Sequence, residues 1–250
     1  MQEILKVSSI KKTFLKDGES NTVINDVSFT VKKGQCVGIV GESGCGKSTT
    51  VRVILGLLNF DEGEIILSGN KLSPQNKIRL KEIQGKIQMV FQMPTESFNP
   101  RIKLGKSIKE AMKKILTSEE KEVKLKKLFE ECQLSYDLAD RYPKEVSGGQ
   151  CQRAAIARAL ASDPQLLICD EATSALDVTV QYKIMNLLKN IQRNRNMAIL
   201  FICHDIVLVQ QFCDYVLVMD KGKIIEEGIP NEVILNSSQM FTKKLINSVI

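Results

Sequence analysis

Three short stretches of this sequence hold residues whose types and spacing could do phosphate chemistry. Gly41-Glu42-Ser43-Gly44-Cys45-Gly46-Lys47-Ser48 reads G-x-x-x-x-G-K-S, the P-loop pattern. Glycines let the backbone wrap an anion with successive N–H groups pointing inward. A helix opening at Lys47 adds the positive end of its dipole. Lys47 would reach the β- and γ-phosphates of a nucleotide, and the Ser48 hydroxyl would hold Mg²⁺. In Leu166-Leu167-Ile168-Cys169-Asp170-Glu171 an apolar run ends in two acids. Asp170 suits the Mg²⁺ shell, and Glu171 suits a general base that polarises the attacking water. Val146-Ser147-Gly148-Gly149-Gln150 places a serine and two glycines at a helix start, a second anion cradle. Each has a plainer alternative, a structural glycine turn or acids facing solvent. Two cradles are compatible with two nucleotide sites, or with one site built from two chains.

The surrounding pattern supplies elements to position these groups. Apolar runs, half-alternating at 23–31 and of the short buried type at 36–40, predict strands at 3–7, 23–31, 36–40, 64–67, 86–91, 165–169, 198–203 and 215–219. Helical patterns fall at 47–57, 150–161, 178–192 and 206–211, and a charged one spans 107–134. The lysines and glutamates of that last run read as a solvated helix face. Regular alternation predicts an α/β fold with a mainly parallel sheet. The helical stretch 93–160 interrupts the alternation. The expected organisation is one domain over 1–250, with a core from 1–92 and 161–250 and an inserted helical subdomain from 93–160.

Composition narrows the class. Of 250 residues, 43% are hydrophobic and 26% charged, ordinary for a globular chain. No apolar run approaches the roughly 18 residues of a membrane span. The N-terminus lacks a basic region followed by an apolar stretch, so no secretory signal is expected and the protein should stay in the cytosol. Seven scattered cysteines without a C-x-x-C pair read as reduced thiols acting as small hydrophobes. The net charge of +6 suits a neighbour of lipid headgroups, nucleotide or nucleic acid, and chooses none of them.

The stretch from Val146 to Gln150, continued by Gln152-Arg153-Ala154-Ala155-Ile156-Ala157-Arg158-Ala159-Leu160, resembles the signature and signature helix of ABC transporter ATP-binding subunits. Gln92 is similar to that family's Q-loop, Ser174-Ala175-Leu176-Asp177 to its D-loop and His204, the only histidine, to its switch histidine. The resemblance covers nearly the whole chain. It implies a P-loop NTPase cassette with a RecA-like core, an antiparallel β-subdomain and a helical subdomain. It also implies ATP with Mg²⁺, held between the P-loop of one subunit and the signature of another. The phosphate-binding set would be Gly41, Ser43, Gly44, Cys45, Gly46, Lys47, Ser48 and Thr49, with Phe14 stacked on adenine. Ser147, Gly149, Gln150 and Asp177 would face the partner's nucleotide. Ser48, Gln92 and Asp170 would hold the metal. Glu171, His204, Gln92 and Lys47 would serve hydrolysis, with His204 on the γ-phosphate.

Phe91-Gln92-Met93-Pro94 through Ser97-Phe98-Asn99-Pro100-Arg101 resembles the peptide and nickel importer subfamily, in the form of its second ATPase subunit. Asp177-Val178-Thr179-Val180-Gln181 is similar in the same way. The resemblance implies a second ATPase subunit, homologous or an identical copy, two transmembrane permease subunits, an extracellular solute-binding protein acting indirectly, and a place on the cytoplasmic face of the membrane. The short tail after Gln239-Met240-Phe241-Thr242 favours nickel or a metal chelate over peptide. Val146, Ala172 and Met93 depart from the usual Leu, Pro and Asp. The rivals are an exporter motor, a soluble ABC ATPase acting on nucleic acid or ribosomes, and a GTPase switch. No heptad array supports the nucleic-acid reading, and no Asn-Lys-x-Asp motif supports the GTPase.

Overall fold

The computed structural model describes residues 2–16, 19–170 and 177–247. Two sheets carry the fold. Strands β1 (Glu3–Lys16) and β2 (Glu19–Lys32) form a long antiparallel hairpin, extended by β4 (Glu62–Leu67) and β5 (Asn70–Lys71) in the order β2-β1-β4-β5. The second sheet runs β10-β9-β3-β8-β7-β6. Its members are β3 (Cys36–Val40), β6 (Ile87–Val90), β7 (Leu166–Asp170), β8 (Ala198–Cys203), β9 (Tyr215–Asp220) and β10 (Lys223–Gly228). All of its pairings are parallel except that of the edge strand β10.

Period-two side-chain direction divides these strands between two cores. Val37 and Ile39, Leu166 and Ile168, Leu200 and Ile202, and Leu217 and Met219 face the antiparallel sheet and helix α1 (Lys47–Ile54). Val40, Leu167, Cys169, Ile199, Phe201, Val216 and Val218 face the other way. There they meet α5 (Gly148–Leu160), α6 (Val178–Arg195) and α7 (Ile206–Phe212). The helices α3 (Leu104–Glu110) and α4 (Ser118–Glu131) add Leu104, Ile108, Leu125, Leu128 and Phe129 to this second core. Two short helices, α8 (Pro230–Asn236) and α9 (Met240–Asn247), close the described chain.

Several boundaries differ from the sequence pattern. The charged stretch 107–134 is two helices rather than one. Thr117 starts the second with a capping box, its hydroxyl accepting from Glu120 N while the Glu120 carboxylate accepts from Thr117 N. Helix α2 (Asn76–Ile83) has no counterpart in the sequence reading. Its anchor is Arg79, fully buried, which donates to the carbonyls of Val53 at 3.0 Å, Ser73 at 2.5 Å and Leu58. The same guanidinium lies over the Phe60 ring.

Candidate functional site

The chemistry-bearing residues gather where the parallel strands end. Val40 pairs with Cys203, so Gly41 and His204 both lie one residue past neighbouring strands, about 4.8 Å apart in the sheet. Asp170 ends β7 and pairs with Ile202. Val90 pairs with Cys169, and Gln92 follows two residues later. Four parallel strands, β3, β7, β8 and β6, thus deliver the P-loop, Asp170, His204 and Gln92 to one edge.

The loop from Gly41 to Gly46 is shaped by what surrounds it. Gly46 has φ 113°, and a Cβ there would lie 2.8 Å from both Met219 Cε and Val23 O, so only glycine fits. Gly46 caps α1 without a side chain, and no acid sits in the first turn. The first amides of α1 therefore have no side-chain cap and keep their capacity for an anion. Lys47 is 6% exposed, and its ammonium donates to Gly41 O at 2.7 Å and Glu42 O at 2.9 Å. Among the described residues no carboxylate shares this contact. Ser43, Gly44 and Ser48 are exposed, Thr49 is half-buried, and Gly41 and Cys45 are buried. Burial pushes the Cys45 thiol up, against the opposing pull of Lys47. From the far side Gly222 N donates to Cys45 O at 2.8 Å, while Gly222 O accepts from Asn25 N at 2.8 Å. The loop is thereby tied to β2 through one residue.

The other predicted residues occupy identifiable positions. Phe14 lies on β1 opposite Asn21, 36% exposed, with Lys12 Nζ 5.4 Å from its ring centroid. Its ring thus keeps an accessible surface and is outside both cores. Ser147 is the N-cap of α5: its hydroxyl accepts from Gln150 N at 3.3 Å, and Gln150 Oε1 accepts from Ser147 N at 2.9 Å. Ser147 remains exposed. Asp177 caps α6, its carboxylate accepting from Val180 N at 2.9 Å. A Cβ on Gly149 would lie 2.8 Å from Val180 Cγ1, so the starts of α5 and α6 touch. Glu171 and Ser174 to Leu176 lie outside the described residues. A cavity of about 410 Å³ opens beside the sheet edge, lined by Phe91, Gln92, Met93, Glu96, Ser97 and Asp170.

Two contacts had no signal in the sequence. Lys244 of α9 meets Glu42 of the P-loop at 3.1 Å, across some 200 residues of chain. Arg158, inside the signature helix, reaches the carbonyl of Ser97. Both are tertiary juxtapositions that no local pattern encodes.

A family profile described as ABC transporter matches residues 24–174. The oligopeptide transport ATP-binding protein OppF of Haemophilus influenzae is 41% identical, over 98% of this chain and 74% of that protein. Its namesake in Bacillus subtilis is 38% identical, over 99% of this chain and 83% of that protein. The chain belongs to the ABC transporter family. Among solved structures, the dimeric ATP-binding cassette MJ0796 bound to ADP and phosphate is similar at 28% identity. Its TM-score is 0.79, over 91% of this chain and 99% of that one. The fold is that of an ABC ATPase, and the chain is an ATP-binding, ATP-hydrolysing subunit. Among the described residues no helix is long and apolar enough to cross a membrane.

The donors at the sheet edge suit a hard divalent cation. Ser48, Asp170 and Gln92 offer oxygen ligands, which Mg²⁺ prefers. Among the described residues no group of three or more His, Cys, Asp or Glu stands ready for a metal. A cation that arrives with a nucleotide and takes one carboxylate and few other protein oxygens matches that sparse set.

Proposed function

We propose that this ABC ATPase energises a peptide importer. It would work as one of a pair of ATPase subunits on the cytoplasmic face of the membrane. Two permease subunits would sit above the pair, supplied by an extracellular solute-binding protein, with no nucleic-acid partner. The observation that carries this reading is the convergence of the Lys47 loop, Asp170 and His204 at one end of the parallel sheet. The names of the two OppF relatives support peptide as cargo. They replace the preference for nickel or a metal chelate, which rested on tail length alone.

The roles follow from chemistry. Backbone amides of Gly44, Cys45, Gly46, Lys47, Ser48 and Thr49, within the Gly41–Ser43 turn, would cradle the phosphates, and Lys47 would turn from its carbonyl partners to the β- and γ-oxygens. Phe14 would stack on adenine. Mg²⁺, held by Ser48, Gln92 and Asp170, would neutralise charge developing on the phosphates. Glu171 would accept the proton of the attacking water, and His204 would donate to the γ-phosphate. Ser147, Gly149, Gln150 and Asp177 would face the nucleotide of the partner subunit, which accounts for the second cradle. We retain residues 93–160 as a helical subdomain that can move against the core, and the segment after Gln92 as its link to the permeases.

The test is reconstitution with the cognate permeases in vesicles. Glu171→Gln should bind ATP, hydrolyse it at least about 100-fold more slowly and accumulate as a closed dimer. Uptake of labelled oligopeptide should depend on the wild-type subunit. Absence of magnesium-dependent ATP consumption by the wild type would end this reading.

A further inference from the structure

The geometry points to Arg158 as a positioning residue that joins the signature helix to the segment after Gln92. The inference rests on the function proposed above and assigns the contact through which two of its parts communicate.

Helix α5 carries Ser147 and Gly149 at its start and Arg158 in its last turn. At 1.5 Å per residue the two ends are about 16 Å apart along one rigid helix. The Arg158 guanidinium lies 4.2 Å from the centroid of the Phe98 ring, and Nη1 donates to Ser97 O at 2.5 Å. Phe98 is only 3% exposed, so the ring is sealed within the packing, while Arg158 is half-buried above it. Ser97 is itself held, its hydroxyl donating to Pro94 O at 2.7 Å.

What these residues border gives the contact its meaning. Ser97 lines the cavity that also contains Gln92 and Asp170. Arg158 lines an adjacent groove of about 390 Å³ with Leu57, Leu80 and Phe91. Those three side chains are among the exposed large hydrophobics of the chain. One side chain therefore touches the Gln92 segment, borders an apolar surface open to a partner, and belongs to the helix that presents the signature.

Arginine suits this position for two reasons. Its planar, delocalised cation can lie on an aromatic face while an edge N–H donates in the guanidinium's own plane. Lysine offers a point charge without a face. Packed contacts of this kind switch between discrete arrangements rather than stretching, so a shift of the Phe98 segment moves α5 as a body.

The experiment uses the subunit assembled with its permeases in vesicles, with the cognate solute-binding protein loaded with trialanine. Arg158→Lys and Phe98→Leu should each reduce stimulation of ATP turnover by the loaded binding protein at least fivefold. Basal turnover and the KM for ATP should stay within twofold of wild type, and Phe98→Tyr should keep full stimulation. A merely structural role would instead lower basal turnover in step with stimulation, and that result overturns the inference. Stimulation within twofold of wild type in both Arg158→Lys and Phe98→Leu also overturns it. Failure of the wild type itself to respond is distinguishable from both, because it removes the importer reading and this inference with it.

Discussion

The ammonium of Lys47 lies 2.7 Å from the carbonyl oxygen of Gly41, the first residue of its own loop. The loop thus holds a buried cation on neutral acceptors, an arrangement that a triphosphate would improve on. Charge-assisted hydrogen bonds contribute about 1.5–3 kcal/mol. Lys47→Ala should therefore weaken ATP binding roughly 10- to 150-fold, measured by equilibrium titration with a fluorescent ATP analogue. Unchanged affinity would remove the loop from nucleotide binding.

Ser147 has a local duty and a proposed distant one, and two substitutions separate them. Ser147→Ala loses the helix cap and should cost about 1 kcal/mol of stability in urea unfolding. Ser147→Arg should leave ATP binding at its own P-loop intact while stopping hydrolysis at the partner's nucleotide. Paired with a Lys47→Ala subunit, it leaves one composite site whole, and turnover should partly return. A mixture as inactive as its parents would contradict the shared site.

Arg79 holds three backbone carbonyls in a place closed to water. Arg79→Ala would strand those acceptors, at about 1–3 kcal/mol for each unsatisfied group. A loss of at least about 3 kcal/mol should appear as a lower urea midpoint. A midpoint equal to wild type would show that water replaces the guanidinium.

All seven cysteines are free and buried. Burial raises Cys151 from the ordinary 9.0 to about 11 and moves Cys45, Cys132 and Cys169 in the same direction. The folded state therefore keeps protons that the unfolded chain releases above pH 9. The linked stability is fully present below pH 9 and is lost as pH climbs from about 9 towards 11. Ellman's reagent at pH 7.5 should label few thiols in the native protein and all seven in urea. Rapid native labelling would refute the burial.

The parts of the site legible in the sequence are those with a local cause. The runs Cys36–Val40 and Ala198–Cys203 are strands with the boundaries their apolar patterns predict, and the P-loop lies between its strand and helix. The break before α4 was also legible, since Thr117 and Glu120 stand at capping-box spacing, but the continuous charge pattern concealed it. Helix α2 was not legible. Its apolar positions lack strong helical periodicity, and its anchor is the buried contact of Arg79 with a turn some twenty residues earlier. The Arg158–Phe98 stack joins residues sixty positions apart, so only the folded chain reveals it.

Gly222 gives and receives a hydrogen bond between Cys45 and Asn25. The phosphate cradle consequently has no hinge of its own on that side: to loosen, it must take with it the register of the β9–β10 turn against the long hairpin. Deuterium uptake at the Gly222 amide thus becomes a gauge of cradle opening, read from a residue outside the cradle itself.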